Sequence, residues 1–334
     1  MRDMNKYKQL PSFAEPIDAI VLAGTHSDPS RWIMGQNKAF LEMDGRPLVR
    51  HVVDALAEAN SIADIFVVGP VEQIREALQG EPAKVHLVPQ KCHMLDNGWA
   101  AVRASEAHHG RNGRERDPMR PYLVLSSDLP LISPASLDDF VARCAEDDQA
   151  SDNPYGLMIG LADEPGLEPY SKDGIVRPFV ELEFARIRLA NIYVSRPWRM
   201  AHEGFLQTGF SFRKATYLRN VVGLAYSFLS QEGGWQAAWM TLRLQATLRA
   251  ARKGGRLYRR LRRWNTRERV EARIGKVLGC SVRLVVSPFG GLTLDIDDED
   301  DFRILTARYA EWMVTHNSVI SEYPLAQSRT DQSG

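Results

Sequence analysis

The chain has 334 residues, 44% of them hydrophobic and 25% charged, and its 42 basic residues balance 42 acidic ones. Those proportions describe a globular protein with apolar surface for one large domain or two small ones, and they exclude collagen-like, disordered and disulfide-stapled chains. The balanced charge excludes a chain that coats nucleic acid over its whole surface, so nucleic acid is not an expected partner.

Cys92, Cys144 and Cys280 stand far apart and read as reduced thiols of a cytosolic protein. The first twelve residues carry Arg2, Asp3, Lys6 and Lys8 and no apolar run of signal-peptide length. No window reaches the roughly 18 apolar residues of a membrane span. A cytoplasmic protein without a transmembrane segment is expected.

Ile17 to Gly24 is a β-branched run ending in Gly and predicts a buried strand, followed by a polar loop from Thr25 to Asn37. Val49, Val52, Val53, Leu56 and Ala57 recur at helical spacing, and Ala63 to Gly69 reads as a second strand. The alternation continues with a helix over Val71 to Leu78, a strand over Lys84 to Val88, a helix over Asn97 to Ala107 and a strand over Tyr122 to Ser126. That order predicts a Rossmann-like α/β domain, a mostly parallel sheet flanked by helices. Gly110 to Arg120 is polar and reads as a loop, Pro134 to Glu146 as a helix and Tyr155 to Leu161 as a strand. Phe179 to Phe184 and Ile187 to Val194 alternate partially, as strands with one wet face do. Trp198 to Leu278 is helical in pattern and reads as an insertion. Ser281 to Val286, a turn at Pro288 to Gly291, and Leu292 to Asp297 predict a closing hairpin, and a last helix runs from Glu299 to about Val314. One domain over 13–315 is expected, containing the 198–278 insertion, with flexible termini at 1–12 and 316–334.

Three segments carry chemistry. A strand ending at Leu22-Ala23-Gly24 can present backbone N–H groups to a phosphate, with Lys38 and Arg31 adding positive charge. The spacing is that of neither a P-loop nor a dinucleotide fingerprint, and an ordinary βα loop with one solvated Lys fits it too. Asp128 ends a strand near the centre of the sheet, where open α/β sheets gather ligands; a carboxylate there suits Mg²⁺, although Asp also caps turns. Asp295 and Asp297, two apart in a strand, would face one site, whereas Asp298 to Asp301 are explained by the start of a helix. The eight His residues show no metal-ligand spacing, and His108-His109 reads as a solvated pair near a helix end.

Leu22-Ala23-Gly24-Thr25, Lys38, Gly45-Arg46-Pro47-Leu48, Asp128-Leu129-Pro130 and Asp295-Ile296-Asp297 through Asp301 together resemble one family in order and spacing. That family is the nucleotidyltransferases of the molybdenum-cofactor guanylyltransferase-like (MobA-like) kind, with a nucleotide-diphospho-sugar transferase, or glycosyltransferase-A-type, fold. The resemblance implies that Leu22, Ala23, Gly24 and Thr25 line the nucleobase and phosphate site. It implies that Lys38 neutralises phosphate, with Arg31 replacing the usual loop arginine. It implies that Asn97 and Gly98 touch base or ribose, with an N-cap as the plain alternative for Asn97, and that Asn191 stands before the acceptor-side strand. Asp128, Asp297 and Asp295 would hold Mg²⁺. Thr25 departs from the family's second Gly, and its Cβ disfavours positive φ, so the loop is expected to wrap a triphosphate differently or less closely. The implied reaction is attack by a small phosphorylated acceptor on the α-phosphorus of an NTP, releasing pyrophosphate. A glycosyltransferase of the same fold using a nucleotide sugar is the second reading, and a non-catalytic nucleotide-binding relative the third.

From Arg243 to Lys276 thirteen Lys and Arg stand against Glu268 and Glu271, interleaved with Leu257, Tyr258, Leu261 and Trp264. The segment carries about +11, and the rest of the neutral chain about −11. Such a stretch can lie on an anionic membrane surface or bind a phosphate-rich acceptor, or it can be a solvated helical face whose arginines pair with acidic neighbours.

Overall fold

The computed structural model describes residues 12–25, 32–80, 83–110, 117–170, 175, 179–202 and 234–322. In chain order these form β1 (Ile17–Leu22), the short strands β2 (Glu42–Met43) and β3 (Arg46–Pro47), α1 (Leu48–Glu58), β4 (Ile62–Gly69), α2 (Val71–Ala77) and β5 (Val85–Pro89). Next come α3 (Met94–His108), β6 (Tyr122–Ser126), α4 (Pro134–Gln149), β7 (Leu157–Asp163), a single turn α5 (Glu164–Leu167), β8 (Val180–Glu181) and β9 (Arg186–Ser195). The described residues end with α6 (Gly234–Lys253), α7 (Gly255–Arg263), α8 (Arg267–Leu278), β10 (Val282–Ser287) and α9 (Glu299–Glu322).

The main sheet runs β10-β7-β9-β6-β1-β4-β5, with β8 paired to β9. The pairs β1–β4, β1–β6, β4–β5 and β7–β10 are parallel, and β9 runs against β6, β7 and β8. Its alternating residues separate two cores, as a period of two requires. Ala19, Val21, Ile65 and Val67 join Val49, Val52, Val53 and Leu56 of α1 and Leu137, Phe140 and Val141 of α4 on one face. Ile20, Phe66, Val68 and Val88 meet Ala101 and Val102 of α3 on the other.

The basic segment adds a third cluster, in which Val270, Val277 and Leu278 of α8 cover Leu157, Ile159, Leu161 and Leu284 of β7 and β10. Thr266 caps α8 by accepting from the Arg269 N–H, and Gly279 ends it at a φ of 65°. The expected helical pattern therefore holds over 234–278. Residues 203–233 of that segment, 111–116 of the Gly110 to Arg120 loop and 1–11 of the N-terminus lie outside the described residues.

Two expectations change. The closing hairpin does not form: β10 pairs in parallel with β7, Gly290–Thr293 is a 3-10 turn, and 294–297 lie in no strand. The Gly290-Gly291 step presses on backbone instead of reversing the chain; a Cβ at Gly290 would lie 2.2 Å from the Gly166 oxygen and one at Gly291 2.9 Å from that of Leu131. Leu294 and Ile296 are drawn into a fourth cluster with Leu41, Met43, Leu305 and Trp312, which anchors the carboxylates beside them. The last helix also continues to Glu322, beyond the expected end at Val314. His316, fully buried, lies with Nε2 2.8 Å from Ser133 Oγ and Nδ1 3.2 Å from the Tyr170 hydroxyl, so residues expected in a polar tail are held against the core.

Burial lowers the pKa of His316 from 6.5 to about 4. The unfolded chain takes up a proton below pH 6.5 that the folded one refuses until about pH 4. Folding stability should therefore fall as pH drops through that window, by at most about 3 kcal/mol from this group. Urea unfolding between pH 7 and 4 tests this: the His316→Gln variant should show a shallower pH dependence, and an unchanged slope refutes it.

Candidate active site

Parallel strands deliver their C-terminal ends to one edge of the sheet, and the candidate residues collect there. At the end of β1 the Ala23 N–H donates to the Val68 oxygen at 2.8 Å, which carries the strand past its last named residue, Leu22. Gly24 follows where no side chain fits: a Cβ would come within 2.9 Å of Asn97 Nδ2. Asn97 is buried in the first turn of α3, and its Oδ1 accepts from the Lys91 N–H, which orients the amide toward Gly24. The helix begins at Met94, so Asn97 is inside it and the N-cap alternative falls. A Cβ on Gly98 would meet no atom within 4 Å, so packing does not require glycine there.

Thr25 is held by two neighbours. Its N–H donates to Gln90 Oε1 at 2.8 Å, and its hydroxyl accepts from Asn37 Nδ2 at 3.0 Å. The same amide nitrogen donates to the Ala23 oxygen at 3.0 Å, while Asn37 Oδ1 caps the 3-10 turn Lys38–Phe40 through the Ala39 N–H. Asn37 thereby fastens the returning loop to the end of β1 and aims the next residue, Lys38, across the sheet edge.

The Lys38 ammonium donates to Asp128 Oδ2, and to the Ile296 oxygen at 3.2 Å. Asp128 follows β6, the middle strand of the sheet, and is fully buried; its other oxygen accepts from Ser126 Oγ. Asn191 of β9 donates through Nδ2 to Asp295 Oδ2, both residues being buried. Burial opposes the charge on Lys38, but Asp128, Asp295 and Asp297 outweigh it and hold the ammonium above the usual lysine pKa. Lys38 nevertheless keeps 36% of its side-chain exposure, so an anion can reach it from solvent. Three carboxylates act on this one ammonium, an arrangement that favours a further cation.

Lys38, Asp128, Asn191, Asp295 and Asp297 thus gather on one side of the β1 end, and Gly24, Thr25 and Asn97 on the other. Asp295 and Asp297 do not share the face of a strand, because no strand forms; Leu294 and Ile296 instead sink into the core on either side of Asp295. Asp298 and Asp301 behave as caps: the Asp301 N–H donates to Asp298 Oδ1 and the Asp297 N–H to Asp301 Oδ2, each at 2.9 Å. Arg31 lies outside the described residues. Sequence reasoning assigned no role to Asn37, Gln90 or Ser126; an Asn just before the candidate Lys was the one available sign, since Asn commonly begins a turn.

The Lys38–Asp128 pair should couple strongly. Lys38→Met strands a buried carboxylate and should lower stability to urea by about 1–3 kcal/mol, less than a fully buried pair because Lys38 is partly exposed. Adding Asp128→Asn should recover part of that loss. Strictly additive effects in the double-mutant cycle would show that the pair does not hold the loop.

Residues 19–155 match the family model of the MobA-like NTP transferase domain. Among curated proteins, the bifunctional protein GlmU of Alcanivorax borkumensis is 30% identical over 128 residues, which make up 36% of this chain and 23% of that protein. The match thus spans under a quarter of that relative's length. Among solved structures, a hypothetical transferase from Thermus thermophilus superposes with a TM-score of 0.54 and 19% identity, over 85% of this chain and 98% of the other. That likeness speaks for the fold, a mostly parallel sheet between helices of the nucleotide-diphospho-sugar transferase type. Residues 19–155, which supply β1, β4, β5 and β6 of the main sheet, are thus similar to the MobA-like NTP transferase domain.

Proposed function

We propose that the chain is a Mg²⁺-dependent nucleotidyltransferase that moves an NMP group from an NTP to a small phosphorylated acceptor, with the α/β domain and its basic segment as one catalytic unit in the cytoplasm. The observation that carries this reading is the Lys38 ammonium set among Asp128, Asp295 and Asp297 beside the side-chain-free step at Gly24. An oxygen of the acceptor phosphate attacks the α-phosphorus in line; the new P–O bond forms as the bond to the bridging oxygen breaks, and pyrophosphate leaves. Both reactants are polyanions, so the protein's work is alignment and charge neutralisation, and no side-chain nucleophile is needed. Lys38 pairs with phosphate oxygens, and Arg31 adds charge to the same loop. Leu22, Ala23, Gly24 and Thr25 line the path of the nucleotide; Gln90 Oε1 sits where a phosphate oxygen would take the Thr25 N–H. Asn97 and Gly98 face base or ribose, and Asn191 the acceptor side.

The all-oxygen donor set suits a hard cation, and the excess of carboxylate over ammonium favours a divalent one. Asp128, Asp295 and Asp297 would hold it. Bound Mg²⁺ supplies charge neutralisation to the phosphates.

The basic segment 243–276 is proposed to rest on an anionic membrane surface. The inner side of α7 is tied down, with the Tyr258 hydroxyl donating to Glu181 at 2.7 Å and Arg262 Nε to the Leu182 oxygen at 2.7 Å. Its outer side presents Arg256, Arg259, Arg260 and Arg263 around Leu257, which is 64% exposed. Among the described residues no helix is long and apolar enough to cross a membrane.

Pyrophosphate release from each of the four NTPs, assayed with Mg²⁺ and a panel of sugar, inositol, choline and glycerol phosphates, tests the reaction. One pair should yield pyrophosphate and an NDP-linked product in equal amounts, and Asp128→Asn should cut the rate by about 100-fold or more while the protein stays folded. Consumption of a nucleotide sugar without pyrophosphate would favour the glycosyltransferase reading. No melting shift with any NTP or nucleotide sugar would sink both. For the membrane surface, the chain should co-sediment with phosphatidylglycerol vesicles and not with neutral ones, and a triple Arg256, Arg259 and Arg260 to Ala variant should lose that binding; equal binding by the variant refutes it.

A further inference from the structure

At the other end of the sheet, away from the Lys38 site, side chains with metal-ligand chemistry converge. Asp18 is the second residue of β1, Asp64 the third of β4 and His86 the second of β5. Each precedes by two a residue that packs toward α3: Ile20, Phe66 and Val88. By the period of two, Asp18, Asp64 and His86 share that face, and the last turn of α3 brings His108 and His109 over them. His86 Nε2 lies 2.8 Å and His108 Nε2 3.7 Å from Asp64 Oδ1. The Phe66 ring stacks on His86 at 4.8 Å and 23° and stands edge-on to His108 at 6.2 Å, which fixes both imidazoles. His108 and His109 stand exposed at the end of α3, as expected of a solvated pair, but their partners come from strands far away in sequence.

We propose that Asp64, His86 and His108 form a site for a divalent transition-metal ion of the zinc class, separate from the nucleotide site. One ligand atom from each of the three lies within 4.8 Å of the others, so closing them onto an ion with Zn–N and Zn–O distances of roughly 2.0–2.2 Å needs only small side-chain shifts. Two imidazole nitrogens and one carboxylate oxygen suit zinc, cobalt or nickel rather than magnesium. The side chains of Asp64, His86 and His108 are 20%, 27% and 43% exposed, so an ion can enter from solvent and keep a fourth position for water. Asp18 does not compete. It is buried, accepts from Arg120 Nη2 at 2.8 Å and from Ser105 Oγ, and faces His109 Nε2 at 3.1 Å. It supports the site through its other oxygen, which accepts from the Asp64 N–H at 3.4 Å. His109 Nε2, 3.8 Å from Asp64 Oδ2, holds the far side of the ligating carboxylate. Coordination partners of this kind, one step out from the metal, set ligand orientation in metal sites.

The test is independent of the nucleotidyltransferase reading. Tag-free full-length chain, stripped with chelator, is titrated with Co²⁺ near pH 7.5, followed by its visible absorption and then by displacement with Zn²⁺. The expected result is one equivalent bound with the intense bands of a low-coordinate Co²⁺ site, and a rise in melting temperature with Zn²⁺. His108→Ala, at a partly exposed helix end, should keep the fold and weaken binding by about tenfold or more, and His86→Gln with His108→Ala should abolish the bands. The melting shift given by an NTP should be the same in all these variants. Co²⁺ that keeps the spectrum of the free hydrated ion, or titrations unchanged by the substitutions, overturns the proposal.

Discussion

A carboxylate buried at the end of the central strand needs a cation, and the meeting of Asp128 with Lys38 is the contact on which the candidate site depends. Desolvating either charge alone costs several kcal/mol, roughly, and this pairing brings residues ninety positions apart into one place. The rest of the edge serves it. Asn37 ties the loop that delivers Lys38 to the end of β1, the Ile296 oxygen accepts a second hydrogen bond from the ammonium, and the Asp295 and Asp297 carboxylates add their field. The cluster around Trp312 holds that segment down through Leu294 and Ile296, so α9 also sets the acidic wall.

The helix α3 joins two different chemistries. Asn97 in its first turn meets the Gly24 backbone, and His108 at its end meets Asp64. Eleven residues at a helical rise separate them by about 17 Å. One end of the parallel sheet therefore gathers oxygen donors and an ammonium, suited to phosphates and a hard cation. The other gathers imidazoles about a half-buried carboxylate, suited to a softer one. The buried ion pair of Asp18 with Arg120 keeps the second end from collapsing into unpaired charge.

The balanced net charge conceals an uneven distribution. Part of the basic segment is spent internally: Arg262 caps the Leu182 carbonyl, Asn265 binds the Glu181 oxygen, and Arg243 and Arg269 lie over the Trp264 ring at 5.2 and 5.4 Å. The bonds of Tyr258 and Arg262 dock the inner side of α7 on Glu181 and Leu182 at β8 and leave its arginine-rich outer side to solvent. Charge counting alone does not separate the two sides; only the helical rotation imposed by docking does.

Apart from the two-residue strands β2 and β3, the strands and helices through α4 were legible because apolar periods of 2 and 3.6 report which face of an element is buried. The same signals marked Gly24, Asp128 and the Asp298 to Asp301 run, each beside the start or end of an element, whereas Lys38 and Asp295 stood out by charge and motif order. Those signals failed at Leu292 to Asp297, where alternation reflects anchoring in a separate core rather than pairing in a sheet, and they did not name the partners of the exposed His108-His109 pair, which β1, β4 and β5 supply. The sequence by itself determined the alternating layered fold and the kinds of charge available, because burial periodicity and residue chemistry are local properties. Only the tertiary structure decided that Lys38 meets Asp128 and the Ile296 carbonyl, 258 residues away, and that two histidines share Asp64. Such pairings follow from how cores pack elements together, which no local spacing encodes.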